Sequence, residues 1–515
     1  MSKYKILDCT LRDGGYYTNW DFSKEIVSTY LESMNKLPVD YLEIGYRNNP
    51  MKDYLGEYFY CPSYILGQVK QASNKKLVVI LDEKNVLPEH VDNLLKPCVG
   101  IIDMVRIALD PQKFGRALKL AEKIKAMGFE VGFNTMYMSK WREFPEFLED
   151  LKFVDDVADY FYMVDSFGGV YPQDVFDTIN LIREKTNIKL GFHGHNNLEL
   201  ALINTLTAVE HGVEIVDATI TGMGRGAGNL KTELLLTALN AKGELDVDFN
   251  ALSKTVDEFT QLQQSYGWGT NLPYMVSGAN SLPQKNVMEW VTQRFYSFNS
   301  IIRALNNQKQ KVKDNYKLPC FKPSKQYDNV VIVGGGTNAV NHAQGLREFI
   351  AGLDNACIIH ASSKNANSYE DLDVDQVFCL VGNEGHRLEK VFQSFRNFNG
   401  SCVLPPYPRE MGTYIPDAVV PNSFELERIE FSNKLNDTHT ALALQAALEL
   451  GAQNVYVAGY DGYIQASISP KEKSLTDENE FLFSSFAQHT DKPLISLTPT
   501  NYKSVVVKSV YSLLA

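Results

Sequence analysis

Lys189-Leu190-Gly191-Phe192-His193-Gly194-His195-Asn196-Asn197 reads as a buried strand that ends in polar residues. Side chains two apart on a strand point to the same side, so His193 and His195 face one point together. They are the only His-x-His pair among the nine histidines of the chain. Working outward, this stretch is the seventh of eight strand-like segments: Tyr4–Cys9, Tyr41–Gly45, Leu77–Leu81, Met104–Ala108, Glu130–Thr135, Tyr160–Val164, Lys189–Gly191 extending to His195, and Ile215–Ile220. Amphipathic segments such as Ala117–Met127 and Val175–Lys185 lie between them, with apolar residues at helical spacing. Eight strands with eight crossovers in roughly 240 residues predict a (β/α)₈ barrel. A doubly wound open sheet is the alternative for the same alternation.

Beyond the eighth unit the pattern turns helical, from Leu230 to Leu305, and is expected to extend the barrel unit over residues 1–305. Asn306–Asp328, rich in Lys and Gln and carrying Pro319 and Pro323, reads as a linker. A second α/β series opens at Asn329–Val333, so residues 329–515 are expected to form a Rossmann-like domain. Its Gly334-Gly335-Gly336-Thr337-Asn338 turn suits a phosphate approach, but G-x-G-x-x-G is not satisfied and no dinucleotide cofactor is predicted.

The 515 residues are 44% apolar and 22% charged, as in soluble globular chains. A net charge of −12 argues against nucleic acid, whose phosphates need a basic surface. The longest apolar runs, such as Leu77–Leu81, are strand-sized, so no membrane span is expected. Seven scattered cysteines without a Cys-x-x-Cys and no apolar leader at Met1–Thr10 fit a reduced, cytoplasmic setting.

Two neutral imidazoles and a carboxylate make a site for a divalent first-row ion that leaves positions open for a substrate. The carboxylate candidate is Asp13 in Leu7-Asp8-Cys9-Thr10-Leu11-Arg12-Asp13-Gly14-Gly15, where the two glycines predict a sharp turn into the barrel mouth. Arg12 beside it would stabilise an enolate oxygen. The bland readings are two core histidines without metal and an exposed ion pair at a turn. The eighth strand closes in Gly222-Met223-Gly224-Arg225-Gly226-Ala227-Gly228-Asn229, a glycine-rich turn with Gly224 and Asn229 as further contacts. Other strand ends offer Glu43 as a catalytic candidate and Arg106, Asn134 and Asp165 as substrate contacts, each equally readable as scaffolding. Tyr274, in the helical extension, is a further candidate for the mouth.

Taken together, these motifs resemble the metal-dependent lyase and aldolase superfamily that groups 3-hydroxy-3-methylglutaryl-CoA lyase, isopropylmalate and homocitrate synthases and 4-hydroxy-2-oxovalerate aldolase. The resemblance covers about residues 1–300. It implies Mn²⁺ or Mg²⁺ held by Asp13, His193, His195 and Asn229, an enolate intermediate and a small-molecule substrate. The aldolase branch is similar in its Gly-Met-Gly-x-Gly-Ala-Gly-Asn closure. Gly15, Tyr16 and Tyr17 stand where the acyl-CoA synthases carry an acidic residue and Gln, and Tyr16 stands where the aldolase branch has a catalytic histidine, which makes Tyr16, or Tyr17 beside it, the candidate proton carrier. The expectation is an aldolase or lyase acting beside a carbonyl, on a 2-oxo acid or a sugar-like substrate from carbohydrate biosynthesis. The alternatives are an acyl-CoA Claisen synthase and a non-catalytic metal-binding scaffold; a homo-oligomer is expected. The second half faintly resembles sialyltransferase-type Rossmann domains, which implies a nucleotide or sugar nucleotide there.

Overall fold

The computed structural model describes residues 4–514 except 53, 293–296, 313–316, 394, 396–397, 410 and 464–469. Eight parallel strands close into a barrel: β1 (Lys5–Asp8), β2 (Tyr41–Tyr46), β3 (Lys76–Asp82), β4 (Met104–Leu109), β5 (Glu130–Thr135), β6 (Tyr160–Asp165), β7 (Lys189–Gly194) and β8 (Ile215–Ala218). Each pairs with its sequence neighbour and β1 pairs with β8 from Lys5↔Ile215 to Asp8↔Ala218. Closure satisfies every strand edge, and the apolar runs are buried on both faces because helices cover the outside. The barrel interior is filled from Leu7, Tyr41, Val78, Met104, Tyr160, Tyr162 and Ile215, which makes it a packed core with its polar groups gathered at the C-terminal strand ends.

The chain divides into two compact units, Met1–Glu289 and Trp290–Ala515. The expected boundaries shift for a physical reason. The helix Phe298–Gln310, assigned from sequence to the barrel's extension, places Arg303 Nε 2.7 Å from Asn383 Oδ1 within the second unit. The expected linker is not a free tether either. Phe321 N donates to the Glu425 carbonyl at 2.7 Å, Glu425 N to the Pro319 carbonyl at 2.9 Å, and Leu318 and Phe321 are buried. Two apolar residues in a polar stretch thus recruit it to a sheet edge; residues 313–316 of that stretch lie outside the described residues.

The second unit is built on a parallel sheet: β9 (Asn329–Val333), β10 (Ala356–His360), β11 (Asp375–Cys379), β12 (Gly400–Leu404), β13 (Ser423–Glu425), β14 (Asn454–Ala458), β15 (Ile495–Ser496) and β16 (Val506–Val507). Their order is β13-β12-β11-β10-β9-β14-β15-β16. The winding direction reverses between β9 and β14, as in doubly wound sheets. Among the described residues no helix is long and apolar enough to cross a membrane.

Candidate active site

The mouth of the barrel is organised from the end of β1. The buried Asp8 carboxylate accepts from Thr10 N (2.9 Å) and Oγ1 (2.6 Å), from Tyr30 (2.7 Å) and from Thr232 (2.6 Å). These bonds turn the chain into the helix Thr10–Thr18, whose first turns carry Arg12 and Asp13. The sharp turn expected at Gly14-Gly15 is absent, because both glycines lie inside this helix. They allow close packing instead: a Cβ on Gly14 would sit 2.4 Å from Met223 Sδ, and one on Gly15 2.1 Å from the Trp20 ring.

His193 lies at the end of β7, with Nδ1 2.8 Å from Asp217 Oδ2. Asp217 accepts from Nδ1–H and orients the ring, with Nε2 3.7 Å from Asp13 Oδ2. His195 follows the same rule, with Nδ1 2.9 Å from the Asp165 carbonyl. The two rings stand nearly perpendicular with centroids 5.1 Å apart. The closing loop is sewn to β7 by an antiparallel bridge, His195↔Asn229, and by Leu230 N donating to the Gly194 carbonyl at 3.1 Å. This brings Asn229 Nδ2 within 2.7 Å of Asp13 Oδ2 and leaves its buried Oδ1 without a hydrogen-bond partner. Gly224 makes room for that amide, since a Cβ there would lie 2.6 Å from Asn229 Nδ2.

Beneath these groups runs a buried charge network. Arg12 pairs with Asp13 and, at 2.6 Å, with Glu43; Arg106 pairs with Asp217 at 2.7 Å and with Glu43 at 3.5 Å, and donates to the Asn134 side-chain oxygen Oδ1. Burial would raise the Asp13 carboxyl, but Arg12 and the two histidines outweigh it and hold it below the usual range. Burial likewise opposes ionisation of Asp217, and Arg106 and His193 prevail. Burial first, then His193, pushes His195 down to about 3, so its imidazole is neutral. Two guanidinium groups, Arg12 and Arg106, thus alternate with three carboxylates, Asp13, Glu43 and Asp217, and a third guanidinium, Arg225, lines the cavity above them.

That donor set fits a divalent ion. Among the described residues Cys9 Sγ, an Asp13 oxygen and a His193 nitrogen lie within 4.8 Å of one another. Cys9 fits less well: burial and then Asp13 and Asp217 raise its thiol, and its Sγ is 3.6 Å from the Ala218 carbonyl. The oxygen and imidazole donors of Asp13, His193, His195 and Asn229 suit a hard or borderline ion better than a protonated thiol does.

Over this centre opens a 540 Å³ cavity lined by Arg12, Asp13, Tyr16, Asn134, His193, His195 and Arg225, among others. The Tyr16 hydroxyl is 3.0 Å from that of Tyr46 and accepts from Arg225 Nη2 at 2.8 Å. Several expected contacts stand elsewhere. Glu43 and Arg106 are fully buried in the network, and Asp165, its carboxyl pushed up to about 6 by burial, accepts from Gly169 N at 3.1 Å. Gly224, as noted, accommodates Asn229, and the buried Tyr274 offers its carbonyl to Asn197 Nδ2 at 2.9 Å. None of these five lines the cavity. Sequence reasoning missed Asp217 and the position of Arg225. Asp217 was detectable as a carboxylate inside the apolar run Ile215-Val216-Asp217-Ala218.

A family model described as HMGL-like matches residues 107–263. The chain is 32% identical over 280 residues to a 4-hydroxy-2-oxovalerate aldolase of Pelotomaculum thermopropionicum, covering 51% of this chain and 77% of that one. It is 27% identical over 314 residues to an oxaloacetate decarboxylase of Mycobacterium tuberculosis, covering 58% and 89%. A crystal structure of the N-terminal domain of a Bacteroides vulgatus protein described as an aldolase candidate matches with 59% identity and a TM-score of 0.56, covering 58% of this chain and 99% of that one. The fold and these matches define the class: the chain belongs to the HMGL-like family of barrel proteins.

Proposed function

We propose that the barrel unit is a divalent-metal-dependent carbon–carbon lyase that cleaves a 4-substituted 2-oxo acid to pyruvate. The observation that carries this reading is the approach of His193 Nε2 to within 3.7 Å of Asp13, with Asn229 bonded to Asp13 and its Oδ1 unpartnered, beside Arg12, whose buried Nη2 also lacks a hydrogen-bond partner; His195, its ring next to that of His193, would complete the set. Asp13, His193, His195 and Asn229 would hold the ion, Mn²⁺ or Mg²⁺ being our choice for this donor set. When bound, it supplies Lewis-acid polarisation of the 2-oxo group.

The chain's own residues do the rest. Arg12 is anchored by Glu43 and Asp13, and its free Nη2 donates to the oxygen on which negative charge develops when the C3–C4 bond breaks. Glu43, Arg106 and Asp217 act through it and through His193 as positioning residues. Tyr16 carries the proton at its hydroxyl, in a chain with Tyr46, while Arg225 holds the phenol oxygen. Asn134 reaches the cavity wall and orients the substrate. Aldol cleavage of a 4-hydroxy-2-oxo acid and decarboxylation of a 3-carboxy-2-oxo acid such as oxaloacetate break the same C3–C4 bond and leave the same three-carbon enolate, which reconciles the two relatives' names. The acyl-CoA synthase and scaffold readings have no comparable support.

The deciding experiment loads the protein with Mn²⁺ and supplies 4-hydroxy-2-oxopentanoate or oxaloacetate, measuring pyruvate, aldehyde and CO₂. Pyruvate with aldehyde identifies the aldolase, and pyruvate with CO₂ the decarboxylase. No pyruvate from either would defeat the reading.

For the second unit we propose a nucleotide or sugar nucleotide at the carboxyl end of the sheet, beside the hydrogen-bonded turns Gly334–Thr337 and Gly459–Gly462. Supporting this, the buried Asp461 Oδ1 has no partner there, and a carboxylate oxygen suits a sugar hydroxyl. Calorimetric titration with both ligand types tests it. Light scattering tests the homo-oligomer we also propose.

A further inference from the structure

The cavity is larger than its chemistry requires. At 540 Å³ it falls among clefts that take drug-sized ligands, about 300–1,000 Å³; a three-carbon acid would fill only its floor. The floor is charged and buried, made by Arg12, Asp13 and His193. The middle wall is aromatic and apolar. Tyr137 packs against Phe167 with centroids 5.4 Å apart, and Phe144 and Met136 complete that side.

The outer rim carries cations. Lys140, in the segment after β5, lies half-buried over the Phe167 ring at 5.0 Å. Lys285, in the helix Gln284–Thr292, is exposed at the same cavity. Among the described residues, no carboxylate forms an ion pair with either lysine. Two carboxylates share the upper wall. Asp110 is turned back to accept from Gln112 N at 2.9 Å, and Glu143 is exposed on the segment that carries Lys140. Asp110 is engaged by its own turn and Glu143 forms no ion pair with either lysine among the described residues, so each ammonium can meet an anion on the concave wall, where low-dielectric aromatic surroundings strengthen the pull.

We infer that the substrate of this barrel carries a second anionic group, a carboxylate or a phosphate, at the end remote from the 2-oxo acid, and that Lys140 and Lys285 bind it. The carbon chain between the two anions lies along Tyr137, Phe144 and Phe167. Lys140 and Lys285 are thus specificity determinants and take no part in bond cleavage. This inference rests on the lyase reading for the orientation of the substrate, with its 2-oxo acid end at Arg12.

The test uses the full chain loaded with Mn²⁺ and three probes of equal chain length: 2-oxohexanoate, 2-oxoadipate and the corresponding 2-oxo acid ending in a phosphonate. Calorimetry should show one or both anionic-tailed acids binding about tenfold tighter than 2-oxohexanoate. The tighter of the two identifies carboxylate or phosphate as the natural tail. In Lys140→Met/Lys285→Met the preference should shrink to within about twofold, with Mn²⁺ affinity and 2-oxohexanoate binding unchanged. Equal affinities in the unaltered protein, a preference that survives the double substitution, or no binding of any probe would overturn the inference. Pyruvate release from 4-hydroxy-2-oxopentanoate or oxaloacetate is scored separately. A tail preference without pyruvate release would sink the lyase reading and keep the anion site.

Discussion

The barrel mouth and the C-terminal edge of the second sheet are built from the same parts, parallel strands ending in glycine-rich turns, yet they differ in what they leave unpaired. At the barrel mouth, buried polar atoms of Arg12, Asp217 and Asn229 lack hydrogen-bond partners, although the residues that carry them are tightly held. At the second edge the glycine turn is closed on one oxygen of a carboxylate, and the other, Asp461 Oδ1, stays unpaired without a second such atom on that turn among the described residues. Asp461 Oδ2 accepts from Asn338 N at 3.1 Å and from Thr337 Oγ1 at 3.2 Å. Buried groups are rarely left unsatisfied without cause, so convergence of several such atoms marks chemistry better than a strand end or a glycine run does.

The largest effect expected from this contrast is at the ion. Alanine at Asp13, His193 or His195 should abolish tight Mn²⁺ binding and pyruvate release while the barrel's circular dichroism stays unchanged. Arg12→Ala should leave Mn²⁺ stoichiometry intact and lower kcat by about 10²–10³. Unaltered metal content in all three alanine variants would put the ion elsewhere and remove the contrast.

The second prediction concerns where the two regions part. A fragment of residues 1–292 should fold and bind Mn²⁺ alone. Residues 293–515 should also fold, whereas 329–515 should be insoluble or unfold at much lower urea. That shorter piece loses the helix Phe298–Gln310 and the Leu318–Phe321 segment that hydrogen-bonds Glu425. Equal stability of the two C-terminal fragments would show that neither segment matters to the sheet.

Asp217→Asn should have a smaller effect. It removes the charge that Arg106 pairs with and replaces the carboxylate acceptor of His193 with a weaker amide oxygen, and Mn²⁺ affinity should fall about 10–100-fold. An unchanged affinity would mean that His193 is held by its packing alone.

The fold was largely legible because strand periodicity is local: all eight barrel strands lie within two residues of their expected ends. Asp13, His193 and His195 could be named as candidates because two sit at a fixed spacing and the third follows a distinctive Arg, and all three line one cavity; their role as ligands is the proposal made above. What failed was long-range. The glycines at Gly14 and Gly15 look the same in a turn and in a close-packed helix, and only the neighbours Met223 and Trp20 decide between them. Glu43 and Arg106 read as free functional groups until Asp217, far along the chain, is seen to complete their network. The boundary failed for a similar reason. A polar stretch with two buried apolar residues resembles a linker until the edge it covers is known.

The smallest effect tests the second region by itself. His360 closes β10, stacks on Phe378 with centroids 4.6 Å apart, and places Nε2 2.8 Å from Gln376 Oε1. Its buried Nδ1 has no partner, and burial pushes its titration down to about 4. A folded-state value below the unfolded one means that the unfolded chain takes up the proton first. The contribution to stability is therefore complete above the unfolded value near 6.5 and is lost as pH falls toward 4. Between pH 7 and pH 5.5 this one group should cost the 293–515 fragment about 1.4 kcal/mol, the equivalent of one pH unit. His360→Gln keeps a donor for Gln376 and cannot titrate, so urea unfolding of that variant should lack this increment while other groups continue to contribute theirs. The same pH slope in both proteins would mean that the imidazole is protonated in the folded sheet. The second region would then hold a buried, incompletely paired cation, where the barrel mouth holds Arg12 with its unpartnered Nη2.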